Sequence, residues 1–167
     1  MAMSEHRYVT RTTWTGQRGR GTETYRSYAR DHETSAGGRP PLRASSDPSF
    51  RGDPSRWNPE LLLVAALSQC HMLWFLHLAA VSDVVVVGYT DEAEGIMEET
   101  ADGGGRFLSV VLRPAVTVRK DSMIDRAAVL HEPASERCFI ANSVNFPVSH
   151  EPVTGALGSA GQSAGVL

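Results

Sequence analysis

The chain has 167 residues, of which 41% are hydrophobic, and its formal net charge at pH 7 is −3. These values predict one ordinary soluble domain with a sizeable core, and they give no indication of a nucleic-acid-binding protein, which would carry a clear excess of basic residues. The first eight residues are polar, so we expect no signal peptide and a cytoplasmic protein.

The N-terminal third is predicted to contain a β-hairpin and a long loop. Residues 8–15 and 22–31 are rich in Thr and Tyr and flank a Gly-rich stretch, a pattern typical of two short strands and a turn. Residues 37–57 contain several prolines among Gly, Ser and Arg, which predicts no regular element. A loop of about twenty residues inside a compact domain is usually functional or disordered. The loop arginines are either solvated surface charges or functional groups: Arg39, Arg43, Arg51 and Arg56.

A long apolar helix is predicted next. Asn58 is a suitable N-cap, Pro59 fits the first helical position, and the carboxylate of Glu60 favours the positive end of the helix dipole. The run 61–81 has few polar residues and no Gly or Pro, so the helix should be buried nearly all round. Cys70 lies near its middle.

This run is also about long enough to span a membrane. In that interpretation Gln69, His71 and His77 would lie at membrane depth, where polar groups are costly, and no second span or flanking basic cluster is present. We therefore interpret the run as the central helix of a soluble core. Within such a helix, Cys70 is either a small buried hydrophobe or a reactive thiol.

After this helix the pattern predicts a long antiparallel hairpin. Residues 83–99 and 106–119 each contain alternating apolar and polar positions, and residues 100–105 form the turn between them. Pro114 within the second strand indicates a sheet edge or a bulge.

Two shorter helices are predicted to follow. Asp121 or Ser122 can cap a helix over residues 123–132, and Pro133 can open another that ends at Cys138.

The end of the chain is predicted to contain a last strand and a tail. The last strand covers residues 145–153. Residues 155–167 are mostly Gly, Ser and Ala with little to bury, so we expect a flexible tail after a single domain of residues 1–154.

Most chemical motifs are absent from the sequence, including a Gly-rich phosphate loop, Cys-x-x-Cys and His-Glu-x-x-His. A zinc site at Cys70, His71 and His77 is disfavoured, because the first two point about 100° apart on a helix and the third lies two turns along. A dyad like that of cysteine proteases would need a histidine from elsewhere, His131 or His150, and nothing in the sequence specifies it.

The remaining set is two cysteines on two predicted helices, a carboxylate at a helix start and a loop of arginines. In a reducing cytosol, two cysteines are more often catalytic, redox-active or inert than joined in a structural disulfide. A thiol that reduces peroxides must be a thiolate, so it needs a nearby cation that lowers its pKa. It also needs a second thiol that traps the sulfenic acid it becomes. The set therefore indicates thiol-based redox chemistry.

Several segments together carry a resemblance to a known family: Asn58-Pro59-Glu60-Leu61-Leu62, Ala65-Ala66, Cys70-His71, and Cys138-Phe139-Ile140-Ala141-Asn142-Ser143. The loop segments Ser45-Ser46-Asp47 and Phe50-Arg51-Gly52-Asp53 and the acidic stretch 91–95 belong to the same pattern. Over roughly residues 8–153 the chain resembles the OsmC/Ohr family of thiol-dependent organic hydroperoxide peroxidases. His71, followed by Met72-Leu73-Trp74, indicates a less studied OsmC-like branch.

The resemblance implies an α/β (α+β) fold in which an antiparallel sheet wraps around central helices in an interlocked homodimer. By position, Cys70 corresponds to the peroxidatic cysteine, Cys138 to the resolving cysteine, and Glu60 to the active-site glutamate. Arg51 stands seven residues before the Asn-Pro-Glu motif, as the arginine of the OsmC branch does. Arg39, in a Gly-Gly-Arg segment, matches the arginine of the Ohr branch and remains a competitor.

The resemblance also implies a mechanism. Arg51, held by Glu60, stabilises the thiolate of Cys70, which attacks an organic hydroperoxide and releases an alcohol; Cys138 then forms a disulfide with Cys70. A small dithiol or a thioredoxin-like or lipoyl reductant would restore the thiols, and we expect no cofactor or metal. The alternative is a non-enzymatic stress protein that uses an apolar cleft of the same fold to bind a small molecule.

Overall fold

The computed structural model describes residues 4–158. The chain divides into two compact units, with the boundary between Leu63 and Val64.

The N-terminal unit contains a small antiparallel sheet in the order β1-β2-β3. Its strands are β1 (Arg11–Trp14), β2 (His32–Ser35) and β3 (Leu42–Ala44). The predicted first strand is therefore present in part, but the expected hairpin partner at residues 22–31 is wrong, because β1 pairs with β2 instead.

Packing around one arginine explains why residues 22–31 do not form a strand. The guanidinium of Arg30 lies over the rings of Tyr25 and Tyr28, at 4.1 and 4.2 Å from their centroids. Trp14 Nε1 donates a hydrogen bond of 2.8 Å to the carbonyl of Ala29, which fixes the end of this segment. These contacts outweigh the strand propensity of the Thr and Tyr residues.

The segment 37–57, predicted to be irregular throughout, contains β3 and a short 3₁₀ turn at Pro48–Phe50. The carboxylate of Asp47 accepts a hydrogen bond of 2.8 Å from the backbone N–H of Ser49 and caps this turn. Arg51 ends the turn in the left-handed conformation, with φ of 67°. The Pro and Ser residues thus build a defined turn rather than an open loop.

The long helix α1 spans Pro59–Val81. Asn58 Oδ1 accepts a hydrogen bond of 2.8 Å from the N–H of Leu61, which confirms the predicted helix start. The expectation of burial all round is wrong for a single chain. Only Leu67, His71, Phe75 and Ala79, four residues apart, are buried. Other apolar positions are exposed, including Leu61, Leu73 and Val81.

By length and composition alone, α1 could also cross a membrane. Its buried stripe, however, packs in the core of the C-terminal unit. Leu67 packs with Val110 and Leu112, whereas Phe75 and Ala79 belong to a second cluster with Val116 and Val118. This stripe gives α1 the position of a core helix against two sheets.

Two three-stranded sheets form the C-terminal unit, in the orders β4-β7-β9 and β5-β6-β8. Their strands are β4 (Val86–Asp91), β5 (Glu94–Glu99), β6 (Gly105–Leu112), β7 (Pro114–Val118), β8 (Val148–His150) and β9 (Val153–Ala156). The pairs β4–β7 and β5–β6 are antiparallel, so the long predicted hairpin is present. The pairs β6–β8 and β7–β9 are parallel, which makes both sheets mixed.

Each predicted strand of the hairpin is divided into two, and the two breaks lie opposite each other: one between β4 and β5, the other between β6 and β7. Pro114 cannot donate to a ladder and stands as the first residue of β7. Next to it, the backbone N–H of Arg113 donates to Asp91 Oδ1 at 2.7 Å, and the guanidinium of Arg113 bridges Glu94 and Glu151. These bonds hold the chain where it passes from one sheet to the other.

The predicted last strand is likewise split into β8 and β9. Strand β9 includes Gly155 and the buried Ala156, two residues that we expected in the flexible tail. Residues 159–167 of that tail lie outside the described part of the chain.

Two short helices, α2 (Ile124–Ala128) and α3 (His131–Arg137), replace the predicted helix over residues 123–132 and its successor. Pro133 explains the break, because its ring would clash with the carbonyl four residues earlier in a continuous helix. In α3 it lies in the first turn, where this clash does not arise. Cys138 is the C-cap of α3 and is buried.

Candidate functional site

The C-terminal unit brings Cys70 and Cys138 close enough to interact, although they stand 68 positions apart in sequence. Burial raises the pKa of the Cys138 thiol from 9.0 to about 11, and a hydrogen bond and charge interaction with Cys70 add to this effect. Cys138 is 2% exposed, and its Sγ accepts a hydrogen bond of 3.4 Å from the N–H of Ala141. Cys70 is half-buried on α1. Both thiols are free, so the site contains an accessible thiol beside a buried one.

Apolar side chains lie next to this pair. Trp74, one turn after Cys70 on α1, makes an edge-to-face contact with Phe139, the residue that follows Cys138, at 5.6 Å between ring centroids. Phe139 is 69% exposed and Leu73 is 62% exposed. A shallow groove lined by Leu73, Trp74 and His77 continues this surface. The cysteine pair therefore borders exposed apolar surface that an organic molecule can contact.

Three histidines form a cluster that directly adjoins the site. His71 follows Cys70 on α1, His131 begins α3, and His150 ends β8. His71 Nε2 and His131 Nδ1 are 3.0 Å apart and hydrogen-bonded, and the two rings are stacked at 5.3 Å. The ring of His131 also stacks on Phe75 at 4.2 Å. This cluster joins the helix that carries Cys70 to the helix that ends in Cys138.

Burial keeps the two hydrogen-bonded histidines neutral. It lowers the pKa of His71 to about 4, and the charge of His150 lowers it further while that of Asp91 opposes the shift. Burial, followed by the charges of His71 and His150, lowers the pKa of His131 to about 4. Between two neutral rings, one nitrogen donates and the other accepts.

The unpartnered nitrogen of His131 indicates which ring donates. Its Nε2 is buried and has no hydrogen-bond partner within residues 4–158. A buried N–H without an acceptor is costlier than a buried bare nitrogen, so His131 Nδ1–H donates to His71 Nε2.

A polar group on β4 faces the same region. Asp91 Oδ2 accepts a hydrogen bond of 2.5 Å from the hydroxyl of Ser68 on α1. Burial, followed by the charge of Asp91, raises the pKa of Tyr89, whose hydroxyl is buried without a hydrogen-bond partner in the described part of the chain. Tyr89 therefore stays neutral under all ordinary conditions.

The remaining predicted site residues lie in the N-terminal unit or at the start of α1. Arg51 is exposed, and its guanidinium lies 5.9 Å from the centroid of the Tyr25 ring. Glu60 Oε2 is buried and has no hydrogen-bond partner among the described residues. No ion pair joins Arg51 to Glu60 within the described single chain. Arg39 is exposed in the turn between β2 and β3, where its guanidinium donates to the carbonyl of Ala36.

Helical geometry constrains what Glu60 can reach. Glu60 and Cys70 lie on the same helix, and ten residues of rise place them about 15 Å apart along its axis. The carboxylate of Glu60 therefore cannot contact the thiol of Cys70 in the same chain.

No local sequence pattern predicts the histidine cluster. From sequence, His71 enters as a disfavoured zinc ligand with Cys70 and His77 and as part of the family motif, and His131 and His150 enter as possible bases of a cysteine dyad. His77 instead lies at the surface against Trp74. No group of His, Cys, Asp or Glu suited to a metal ion is present among the described residues. The cluster depends on strand and helix positions that are distant in sequence, so no local pattern specifies it.

Comparisons with known proteins identify a family model and solved structures that are similar to this chain. Residues 52–152 match the family model described as OsmC-like protein. An OsmC-like protein of unknown function from Vibrio cholerae O1 biovar eltor str. N16961 has a similar structure, with 36% identity and a TM-score of 0.78; the match covers 90% of this chain and 100% of that chain. The comparison with curated proteins found no match.

Two further solved structures share the fold at lower identity. An organic hydroperoxide resistance protein from Elizabethkingia anophelis is 15% identical with a TM-score of 0.67, over 93% of this chain and 100% of that chain. An organic hydroperoxide resistance protein OsmC from Legionella pneumophila is 17% identical with a TM-score of 0.66, over 92% and 99%. At these identities the similarity concerns the fold alone.

Proposed function

This chain belongs to the OsmC-like protein family, and we propose on that premise that it is a thiol-dependent peroxidase that reduces organic hydroperoxides. The observation that carries the proposal is the interaction of the half-buried thiol of Cys70 with the buried thiol of Cys138, which raises the pKa of Cys138. A thiol peroxidase of this kind needs an accessible thiol that attacks and a second thiol within reach that resolves.

The proposed reaction has three steps. The thiolate of Cys70 attacks the terminal oxygen of the hydroperoxide, the O–O bond breaks, and the leaving alkoxide takes a proton to become the alcohol. The Cys138 thiolate then attacks the sulfur of the Cys70 sulfenic acid, forming the S–S bond and releasing water once the leaving hydroxide is protonated. An external dithiol reduces the disulfide by exchange and is itself oxidised.

The surroundings of the pair favour an organic substrate. Trp74 and Phe139 border the two cysteines, and Phe139 is largely exposed. Contact of this surface with the organic part of a hydroperoxide would remove apolar area from water, which hydrogen peroxide cannot do.

Arg51 and Glu60 are proposed to support the thiolate. The left-handed backbone of Arg51 is unfavourable for a residue with a Cβ, and such strain is concentrated at functional sites. The unpartnered carboxylate oxygen of Glu60 is available to bind a guanidinium. Because Glu60 lies about 15 Å from Cys70 along its own helix, we propose that a second copy of the chain supplies Glu60 to each site in a cytoplasmic homodimer.

Turnover with a defined substrate tests the proposal. The full chain is mixed with cumene hydroperoxide and dithiothreitol, and peroxide consumption is followed beside a Cys70→Ser variant of matched concentration. The proposal predicts turnover well above the uncatalysed thiol reaction and its loss in Cys70→Ser. Equal rates with wild type, variant and buffer would reject the enzyme and favour the non-enzymatic binding protein.

A further inference from the structure

A polar pocket in the N-terminal unit contains neither cysteine, although it shares Arg51 with the proposed peroxidase site. Its volume is about 310 Å³, close to the lower limit for a small-molecule site. Its wall contains basic side chains from the turns before β2 and from the segment that precedes α1: Arg18, Arg26, Arg30 and Arg51. The pocket is also lined by Asp31 and Asp53.

The two aspartates do not neutralise these arginines. Asp53 binds the N–H and hydroxyl of Ser55, and Asp31 accepts from the hydroxyl of Ser45. Arg56, which is not part of the wall, pairs with both carboxylates, at 3.8 Å from Asp31 and 3.2 Å from Asp53. Arg56 offsets one of these two negative charges, so the four wall arginines face a single remaining carboxylate charge, and the pocket keeps a clear excess of positive charge.

The guanidinium groups of the wall lack anionic partners. Within residues 4–158, the side chains of Arg18, Arg26 and Arg51 make no hydrogen bond or ion pair with the protein. Arg30 donates through Nη1 to the carbonyls of Tyr25 and Tyr28, but its Nη2 is buried without a partner in that same range. A buried guanidinium nitrogen without an acceptor is costly, and an anion would satisfy it.

The position of Arg30 is fixed before any ligand binds. Its guanidinium is held by two aromatic faces, those of Tyr25 and Tyr28, and by two carbonyls. Because little side-chain freedom remains to be lost there, binding of an oxyanion would cost less entropy than at an ordinary surface arginine.

We infer that this pocket binds a small anion that carries a phosphate or carboxylate group. Guanidinium groups match both groups through paired hydrogen bonds, and the open mouth of the pocket leaves space for a small organic part. The inference does not depend on the peroxidase reaction, since no cysteine lines the pocket.

Direct binding tests this site. Trp14 provides the signal, because its ring contacts Tyr28 of the wall at 5.8 Å and its Nε1 donates to Ala29, also of the wall. Inorganic phosphate, a sugar monophosphate and succinate are titrated separately into the full chain at low ionic strength, with fluorescence and calorimetry as readouts. The three titrations separate free phosphate, phosphomonoester and carboxylate as the preferred ligand chemistry.

The variants avoid Arg51, which the proposed peroxidase site also uses. The double substitution Arg18→Ala and Arg26→Ala removes two free guanidiniums from the wall. Arg20→Ala is the matched control, because Arg20 lies in the same exposed stretch, is not part of the wall and pairs with Glu23. The double substitution Arg18→Lys and Arg26→Lys retains both positive charges but removes the paired N–H donors of the guanidinium groups. Because this change is milder, it provides a second test if the double Ala variant does not fold.

We expect saturable binding of at least one of the anions by the wild type and by Arg20→Ala. The affinity of the double Ala variant should be lower by about tenfold or more, and the affinity of the double Lys variant should lie between those of the wild type and the double Ala variant. The Cys70→Ser chain should bind like the wild type, whether or not the protein is a peroxidase. No saturable binding of any of the three anions, or equal binding by the double Ala variant with its thermal midpoint retained, would overturn the inference.

Discussion

At the scale of single residues, the left-handed backbone conformation of Arg51 indicates that function, and not stability alone, determines the residue at this position. A residue with a Cβ in the left-handed region costs roughly 1–2 kcal/mol, and a glycine would meet the same turn without this cost. The sequence showed Arg51 in its motif but not its conformation, because the conformation arises from the capped turn at Pro48–Phe50.

A pair of substitutions at this position separates function from fold. Arg51→Gly and Arg51→Ala both remove the guanidinium, so both should lower hydroperoxide turnover by about tenfold or more. Because only Gly adopts the left-handed conformation freely, Arg51→Gly should be the more stable of the two by about 1 kcal/mol. Turnover and urea unfolding of the same samples measure both effects.

Arg39→Ala is the control, since the guanidinium of Arg39 contacts only its own turn. Full turnover in both Arg51 variants, with a loss in Arg39→Ala, would move the role to Arg39.

The buried thiol of Cys138 predicts a pH dependence. Its pKa of about 11 leaves little thiolate at neutral pH, and the thiolate is the form that attacks the sulfenic acid. Disulfide closure after a pulse of peroxide should therefore accelerate about tenfold per pH unit between pH 7 and 9. Rapid-quench alkylation measures the closure rate, and a rate that does not change over this range would show that Cys138 is not the attacking thiol.

At the scale of secondary-structure elements, sequence prediction succeeded where the signal was local. The start of α1 follows from three consecutive residues that suit a helix N-terminus, and the long hairpin follows from alternation and its turn. The failures had non-local causes. Residues 22–31 pack their tyrosines on Arg30 instead of pairing with β1, and the hairpin arms break where Arg113 bridges Glu94 and Glu151.

The link between α1 and α3 has the same non-local origin and gives the next prediction. His71 and His131 have pKa values of about 4 in the folded chain, below the usual 6.5. As the pH falls, the unfolded chain binds protons at these histidines at a higher pH than the folded chain does. The two histidines therefore contribute stability that is fully present above pH 6.5 and is lost as the pH falls through 4. Burial and the neighbouring His150 keep both histidines neutral, whereas the charge of Asp91 opposes this effect at His71.

The double variant His71→Gln with His131→Asn retains polar atoms near the bonded nitrogens but cannot titrate. Its free energy of unfolding should fall less than that of the wild type between pH 6.5 and 4. Urea unfolding across this range measures the difference, and His77→Gln, at an exposed position of α1, is the control. Parallel pH profiles for wild type and double variant would contradict the assignment of neutral, buried histidines.

At the scale of the whole molecule, the predicted family and OsmC-like fold are confirmed. The family could be predicted because its motifs are short runs of sequence around Asn58, Cys70 and Cys138. The geometry of the candidate site could not, because the histidine cluster and the polar pocket depend on which strands and turns meet. The roles of the four site residues, and the assembly, remain predictions.

The exposed apolar side chains of α1 predict a homodimer. Leu61, Leu73 and Val81 are 50%, 62% and 66% exposed in the single chain. Because full burial of such a side chain contributes roughly 1.5–3 kcal/mol, covering the exposed half or more of each contributes about 1–2 kcal/mol, which favours a stable dimer. Sedimentation velocity at micromolar concentration should show a dimer, and Leu73→Glu should weaken it. A stable folded monomer under these conditions would contradict the shared site.

The most direct test of the proposed peroxidase is the fate of its two thiols after one equivalent of cumene hydroperoxide. Intact-mass and peptide analysis should show the loss of two hydrogen atoms per chain and a single link between Cys70 and Cys138. In Cys138→Ser, dimedone should instead label Cys70 as a sulfenic acid. If both thiols remain reduced, or if oxidation falls on Cys138 first, the proposed mechanism is wrong.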